Sequence, residues 1–216
     1  MMRGYFVTGT DTGVGKTFVT TALARLATQR GQRVFAFKPI ETGVPPADSD
    51  GVRLGEDQRV LVAAAGGWQS GGLRGLYQFD LPAAPLVSAE AEGRSIDFAE
   101  IDRVLAAGRA DADLVLVEAA GGWRVPIWDG VDMGGFAKRL GLPVLVVARA
   151  VLGTINHSLL TVEAVERQGC SVAAVILSVK PDDDLDFARS NAEQVSRVWP
   201  GRVLLFTSPA DLDVLL

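Results

Sequence analysis

The sequence predicts an α/β protein with a doubly wound, mostly parallel sheet and helices on both faces. Six short runs rich in Val, Leu and Ile alternate with segments of helical periodicity, which is typical of this fold class. The runs are apolar almost throughout, as expected for strands that are covered on both faces. A glycine-rich turn follows the first run and leads directly into a helical segment. Such a turn, at the carboxyl end of a parallel strand, is where these folds bind ligands.

The elements follow one another along the chain with clear boundaries. Strands are predicted at 4–8, 33–38, 113–118, 143–148, 171–178 and 202–206. Helices are predicted at 17–30, 98–110, 133–141, 154–169 and 182–198, with a further one near 56–65. Gly31 and Gly169 stand where left-handed C-caps are expected. The segment 41–95 is too long for a simple connection, so we expect it to contribute to a site. No domain boundary stands out, and residues 1–216 are predicted to form a single domain.

Composition narrows the function classes. The chain has 216 residues, of which 48% are hydrophobic, so a substantial core is expected. A net charge of −5 without a dense Lys/Arg cluster argues against a nucleic-acid partner. The apolar run at 142–153 is too short to span a bilayer, and Arg149 interrupts it. No charged leader precedes the first strand, and the single Cys170 excludes an internal disulfide. We therefore expect a cytoplasmic protein without a membrane partner.

The turn after the first strand reads GTDTGVGKT at 9–17. Five residues separate Gly9 from Gly15, whereas the common phosphate-loop pattern G-x-x-x-x-G-K-[ST] has four. The flanking strand and helix are nevertheless those of a phosphate loop, and one extra residue can widen the turn without removing its N–H donors. The sequence thus predicts a P-loop NTPase type of fold, in which Lys16 binds the β- and γ-phosphates and Thr17 ligates Mg²⁺. The alternative is a structural turn with a surface lysine.

Two charged residues stand at the ends of predicted strands. Lys38 closes the second strand and Glu118 closes the third. A charge directly after a buried run is costly unless it is paired or lies in the ligand crevice. Glu118 is therefore predicted to hold Mg²⁺ directly or through water, and Lys38 to neutralise charge on a transferring phosphoryl group. The alternatives are a capping or solvated Glu118 and a lysine at a strand edge.

Five motifs in a fixed order resemble those of the dethiobiotin synthetases. They are GTDTGVGKT, FKPIETG, GEDQ, VEAAGGWRVPI and LGTINHSLLT, and the resemblance covers about residues 1–180, including the extra residue of the loop. It implies a homodimeric ligase of biotin biosynthesis. Such an enzyme uses ATP to join CO₂ to 7,8-diaminononanoate (7,8-diaminopelargonate), and it closes a cyclic urea by way of a carbamate and a carbamic-phosphoric anhydride.

The resemblance also implies a role for particular residues. Lys38 is the catalytic residue, together with Lys16 of the phosphate loop. The residues at the nucleotide are Gly13, Val14, Gly15, Lys16, Thr17, Phe18, Glu118, Ala119, Ala120 and Gly121, and those at its base are Ser178, Pro209, Ala210 and Asp211. The Mg²⁺ ligands are Thr17, Asp57 and Glu118. The substrate residues are Thr12 and Thr42. The backbone of Gly153, Thr154, Ile155 and Asn156 would hold the substrate carboxylate across the dimer interface.

Three departures from the family pattern bear on the nucleotide. Ala119 stands where the family usually has glycine, so its Cβ is expected to crowd a turn. Ser178 stands where family members often have an asparagine that reads the adenine edge, and a hydroxyl cannot present the paired donor and acceptor of an amide. The chain after Val179 matches poorly. A relaxed nucleotide preference is the expected consequence.

Three other functions fit parts of the sequence. A partitioning-type nucleotide switch shares the fold but typically carries an early lysine in the loop, where this chain has Gly9 to Thr12. An ATP-dependent amidating enzyme of corrinoid synthesis usually adds a glutaminase domain, for which 216 residues leave no room. Ala119 and Ser178 would also suit a non-catalytic paralogue. The retained charged residues of the site argue against that last alternative.

Overall fold

The computed structural model describes residues 3–47 and 53–216, and its centre is a six-stranded sheet of order β10-β9-β8-β1-β5-β2. All neighbours in this sheet are parallel, which confirms the predicted fold class. The strands are β1 (Arg3–Gly9), β2 (Val34–Phe37), β3 (Ile40–Thr42), β4 (Tyr77–Phe79), β5 (Leu114–Gly122), β6 (Pro126–Trp128), β7 (Val131–Asp132), β8 (Val144–Arg149), β9 (Val172–Ser178) and β10 (Val203–Phe206). The α-helices are α1 (Lys16–Gln29), α2 (Glu56–Ala64), α3 (Pro85–Ala91), α4 (Phe98–Ala110), α5 (Met133–Leu140), α6 (Thr154–Arg167) and α7 (Leu185–Val198).

Helix ends lie where local chemistry places them. Gly31 (φ 79°) and Gly169 (φ 81°) adopt the left-handed conformation just after α1 and α6, as predicted. Helix α7 begins at Leu185, later than the predicted residue 182, because the Asp184 side chain accepts hydrogen bonds from the first-turn N–H groups. Of the three consecutive aspartates at 182–184, the last therefore forms the cap of this helix.

The long segment 41–95 contains more structure than its sequence suggests. The helix predicted near 56–65 is present as α2. Strands β3 and β4 pair in parallel as a separate two-stranded sheet, and α3 follows them. These elements were not predicted, because a three-residue strand is too short to show a hydrophobic period.

The two faces of the main sheet have separate apolar layers. Phe6 of β1 faces a layer that α4, α5, α6 and α7 cover, whereas the next residue, Val7, faces a layer that α1 and α2 cover. Both residues are fully buried. This alternation of side chains along a strand is the doubly wound arrangement that the apolar runs predicted. Throughout the part of the chain that the structure describes, no helix is long and apolar enough to cross a membrane.

The register of the sheet brings the functional strand ends together. Val7 of β1 pairs with Glu118 of β5, and Phe37, directly before Lys38, pairs with Val117. On the other side of β1, Arg149 at the end of β8 pairs with Ser178 at the end of β9. The loop after β1 thus lies between two groups of polar side chains at the carboxyl ends of the strands.

One predicted strand end is wrong. The strand that was expected to close on Glu118 continues to Gly122, since its pairing with β1 resumes at Gly9 and Gly122 after an irregularity. Glu118 therefore lies inside β5 and is fully buried. A carboxylate in this place needs partners, and the neighbouring strand and loop supply them.

Candidate active site

The loop at 9–15 has the backbone conformation of a tight strand-to-helix turn. Gly13 (φ 72°) and Gly15 (φ 100°) are left-handed, and α1 begins directly after Gly15. A Cβ on Gly9 would lie 2.8 Å from the Asp11 carbonyl oxygen, so the close approach there requires glycine. Val14 is buried in the core, which leaves only its backbone for a ligand. The first backbone N–H groups of a helix have no partner within the helix, so the start of α1 is suited to binding anions.

Lys16 lies in this loop as a nearly buried cation. Its side chain is 7% exposed, and Nζ donates a hydrogen bond to the Asp11 carbonyl oxygen at 3.0 Å. Burial lowers the pKa of Lys16, although nearby Glu118 opposes this shift. An ammonium group that has little water around it interacts strongly with an anion that enters the loop.

The second lysine, Lys38, lies between two carboxylates. Its Nζ forms ion pairs with Asp57 Oδ2 and, at 3.2 Å, with Glu118 Oε1. Burial by itself lowers the pKa of Lys38, but Glu118 and Asp57 outweigh it and raise the pKa above its ordinary value. Burial acts to raise the pKa of Asp57, and the charge of Lys38 reverses this and lowers it. Lys38 and Asp57 therefore hold each other in their charged forms.

Thr17 joins the same cluster from the first turn of α1. Its Oγ1 donates a hydrogen bond to Glu118 Oε1 at 2.7 Å. The other carboxylate oxygen, Glu118 Oε2, is buried and has no hydrogen-bond partner among the described residues. One hydroxyl and two carboxylates are hard oxygen donors of the kind that Mg²⁺ prefers. Thr17, Asp57 and Glu118 thus fit a magnesium ion by the chemistry of their oxygen atoms, and the hydrogen bond from Thr17 to Glu118 brings two of them together.

A cleft of about 660 Å³ opens above this cluster. Half of the predicted site residues line it, and they are Thr12, Gly13, Gly15, Lys16, Thr17, Phe18, Lys38, Thr42, Asp57, Ala120 and Gly121. The sequence did not single out the other lining residues, which are Glu41, Val125 and the stretch Pro82–Pro85. Those from 41–95 confirm that this long segment contributes to the site. The proline-rich run at 82–85 was the available signal for them.

The expectation for Ala119 is wrong. Ala119 lies within β5 with its side chain buried in the core, and the left-handed backbone falls on Gly121 (φ 77°) instead. An extended strand accommodates a Cβ, so alanine at this position crowds no turn. This departure from the family pattern leaves the phosphate loop and the carboxylate cluster intact.

A second cleft of about 480 Å³ shares Gly15 and Phe18 with the first. Ser178, which was predicted to lie at the nucleotide base, is one of its lining residues. Its polar wall also includes Arg149, which donates to both carboxylate oxygens of Asp183 at 2.8 Å. No motif assigned a role to this ion pair, because its members lie 34 residues apart and meet only in the fold.

The remaining predicted residues lie outside both clefts. Pro209, Ala210 and Asp211 belong to a short 3₁₀ helix, and the Asp211 carboxylate caps it by accepting from the N–H groups of Thr207 and Ser208. The residues from Gly153 to Asn156 form the start of α6 and line neither cleft within one chain. Beside them Leu152 is 87% exposed.

Comparisons with known proteins agree on one family. A family model described as an AAA domain matches residues 3–206. The chain is 43% identical to a protein of Anaeromyxobacter dehalogenans strain 2CP-C named ATP-dependent dethiobiotin synthetase BioD, over 91% of this chain and 86% of the relative. It is 39% identical to a protein of the same name from Aromatoleum aromaticum, over 87% of this chain and 85% of the relative.

A solved structure supports the fold. The signal recognition particle receptor FtsY from Elizabethkingia anophelis superposes with a TM-score of 0.53 at 17% sequence identity, covering 98% of this chain. The chain spans about 61% of that receptor. At this identity the likeness concerns the fold alone, and it agrees with the parallel sheet described above.

Proposed function

This chain belongs to the ATP-dependent dethiobiotin synthetase family, and we propose that it joins CO₂ to 7,8-diaminononanoate and closes the cyclic urea of dethiobiotin with ATP. The observation that carries the proposal is the position of Lys38. It is held by Asp57 and Glu118 beside the phosphate loop, in the wall of a cleft that has space for a nucleotide and a small second substrate. The family relation favours this synthetase over the nucleotide switch.

The chemistry requires positioning more than covalent participation. An amine of the substrate adds to CO₂ and gives a carbamate, whose oxygen is a poor leaving group. Transfer of the γ-phosphoryl group of ATP to that oxygen releases ADP and forms a carbamic-phosphoric anhydride. The second amine then attacks the carbonyl carbon, the carbon–oxygen bond to phosphate breaks, and phosphate leaves. Lys16 and Lys38 face the anions of these steps, where fixed charge stabilises the spreading phosphoryl charge.

The charge balance of the cleft favours a divalent cation. Two lysines, Lys16 and Lys38, face the three carboxylates of Glu41, Asp57 and Glu118. The side chains therefore leave an excess of negative charge before an anionic nucleotide enters. We propose that Thr17, Asp57 and Glu118 hold Mg²⁺, which when bound neutralises the β- and γ-phosphate oxygens.

The substrate and the nucleotide base take positions at the two ends of the cleft system. We assign Thr12 and Thr42 to the diamine, since both line the main cleft. The start of α6, from Gly153 to Asn156, would receive the substrate carboxylate of a partner copy, because a helix N-terminus suits an anion. The exposed Leu152 and Leu160 on either side of it supply an apolar surface for a homodimer interface.

The base would lie near Ser178 in the second cleft, since that cleft adjoins Gly15 of the phosphate loop. The backbone at Pro209 and Ala210 and the cap residue Asp211 would border it from the neighbouring 3₁₀ helix. Ser178 offers one hydroxyl, so discrimination among bases is expected to be weak.

The test is phosphate release from ATP with Mg²⁺ and bicarbonate, with and without the diaminononanoate, combined with the mass of the product. We expect release that depends on the diamine and a product with the mass of dethiobiotin. A matched reaction with a monoamine of the same chain length should give no cyclic product, since the ring needs the second amine. Equal phosphate release without any amine would contradict the synthetase and favour a switch.

A further inference from the structure

We propose that Glu41 is a positioning residue that caps α2 from another strand and so holds Asp57 against Lys38 and in place for the metal. The inference rests on the proposed Mg²⁺ site. Glu41 lies in β3, is 7% exposed and lines the main cleft. It was not among the residues that the motifs singled out. Its role is to act through Asp57, because no contact with the reacting groups is required of it.

The contacts of Glu41 are those of a helix cap. Its Oε1 accepts a hydrogen bond from the backbone N–H of Asp57 at 2.9 Å, and its Oε2 accepts one from the N–H of Gln58 at 3.0 Å. The residue at the N-cap position, Gly55, has no side chain to do this. A carboxylate at two first-turn N–H groups is stabilised both by the hydrogen bonds and by the helix dipole. The start of α2 is therefore fixed by Glu41.

Gly55 makes room for this cap. A Cβ on Gly55 would lie 2.0 Å from the Cδ atom of Glu41, well inside van der Waals contact. Gly55 has an ordinary extended backbone (φ −63°), so its glycine is explained by the space that the Glu41 carboxylate occupies and not by strain. Any residue larger than glycine at position 55 would therefore displace the Glu41 carboxylate.

A second connection fixes the same turn to the sheet. The side chain of Gln58 is fully buried, accepts a hydrogen bond from the backbone N–H of Lys38 and donates one to the Ala36 carbonyl oxygen at 3.2 Å. The backbone of Lys38 is held by Gln58, and the backbone of Gln58 is held by Glu41. The backbone of Asp57 is fixed on both sides, because Glu41 holds its own N–H group and that of Gln58. Its side chain therefore reaches Lys38 Nζ with little conformational freedom.

Other helices show what an ordinary cap looks like in this chain. Asp97 caps α4, Asp132 caps α5 and Asp184 caps α7, each from the position directly before its helix. The cap of α2 comes instead from a residue 16 positions away, in a strand that lines the cleft. A local Ser or Asp at position 55 would serve stability alone. A cap from the wall of the cleft also ties Asp57 to the site.

The first measurement is the affinity of the protein for Mn²⁺ in the presence of ADP, read from the electron paramagnetic resonance signal of free Mn²⁺. For Glu41→Gln we expect this affinity to fall about 10- to 100-fold, the usual effect of removing a group that orients a metal ligand. The amide hydrogens of Asp57 and Gln58 should exchange faster. ADP affinity without metal should stay within about twofold, a factor worth only a few tenths of a kcal/mol.

Two further variants separate positioning from general stability. Gly55→Ala keeps every charge but pushes the Glu41 carboxylate away, so it should weaken Mn²⁺ binding in the same direction. Asp97→Ala removes a local cap far from the cleft, which should lower the urea midpoint of unfolding and leave Mn²⁺ affinity unchanged. Wild-type Mn²⁺ affinity in Glu41→Gln, with faster exchange at 57 and 58, would overturn the proposal.

The outcome is independent of the overall reaction. Binding of Mn²⁺ with ADP needs no diamine, so the Glu41 measurement can be read even if diamine-dependent phosphate release is absent. If the synthetase activity is present, the kcat of Glu41→Gln should fall and should recover in part at high Mg²⁺, because metal excess compensates for lost affinity. A fall in kcat that no concentration of Mg²⁺ relieves would count against a role through Asp57.

Discussion

Replacing Lys38 by methionine tests the centre of the site, because methionine keeps the length of the side chain and removes its charge. In the structure Lys38 Nζ lies 3.2 Å from Glu118 Oε1, and Glu118 is fully buried. Removing one partner of a buried ion pair leaves the other charge without compensation, which typically costs about 3–5 kcal/mol. Thr17 still donates to Glu118 in the variant, so we expect the lower end of this range for the free energy of unfolding.

The same substitution should affect turnover more than binding. Removing one fixed group that stabilises transition-state charge typically lowers kcat by about 10²- to 10³-fold. The phosphate loop and Lys16 remain, so the affinity for ATP should change little. The assay is diamine-dependent phosphate release at a temperature where urea unfolding shows the variant folded, with nucleotide affinity from calorimetry on the same sample.

Lys138→Met is the matched control. Lys138 is an exposed residue of α5, so this variant loses the same charge at the surface. Its stability should stay within about 0.5 kcal/mol of wild type, and its turnover should be unchanged. Turnover of folded Lys38→Met within about threefold of wild type, far below the loss expected for a transition-state contact, would refute the reasoning.

Three further predictions concern the metal, the base and the C-terminal turn. Thr17→Val removes a hydroxyl donor of Glu118 and should raise the Mg²⁺ concentration for half-maximal activity about tenfold or more; an unchanged Mg²⁺ titration would count against the ligand. Ser178→Asn supplies a paired donor and acceptor, so the ratio of kcat/KM for ATP over CTP and GTP should rise; a constant ratio would place the base elsewhere. Burial acts to raise the pKa of Asp211, but hydrogen bonds from Thr207 and Ser208 prevail and lower it. Asp211→Ala should therefore cost about 1 kcal/mol at pH 7, and the difference in urea unfolding should disappear as the pH falls below the lowered pKa; a difference that persists in strong acid would contradict this.

The main sheet was predictable because each of its strands is a buried run. Strands with continuous apolar side chains, such as β8 and β9, stand out against the amphipathic helices that separate them. Strands β3 and β4 carry no such signal, since each has three residues and Tyr77–Phe79 includes a glutamine. Their pairing depends on contacts between segments far apart in the chain, which local patterns do not contain.

The site was predictable where chemistry is tied to a strand end or to a local motif. The phosphate loop, Lys38 and Asp57 each lie in a recognisable sequence motif, and in the fold all three line one cleft. Ala119 shows the limit, because a glycine-rich motif suggested a turn where the pairing of β5 with β1 continues past it. Glu41 and Arg149 show a second limit of sequence analysis. Their hydrogen-bond partners are distant in sequence, and no local sequence pattern connects them.

The asymmetry of the Lys38 ion pairs indicates which partner it exchanges for substrate. If Lys38 exchanges one carboxylate for a phosphoryl oxygen, the two partners differ in what their release costs. The Asp57 side chain is 39% exposed and can recover water, whereas Glu118 is fully buried and would be left as an uncompensated charge. Lys38 is therefore expected to stay with Glu118 and to leave Asp57. Urea unfolding checks this, because Asp57→Asn should cost less stability than Glu118→Gln, and the opposite order would reverse the assignment. Asp57 is also the proposed metal ligand that Glu41 holds in place, so the movement that frees the ammonium for the phosphoryl group would leave a fixed carboxylate for the metal.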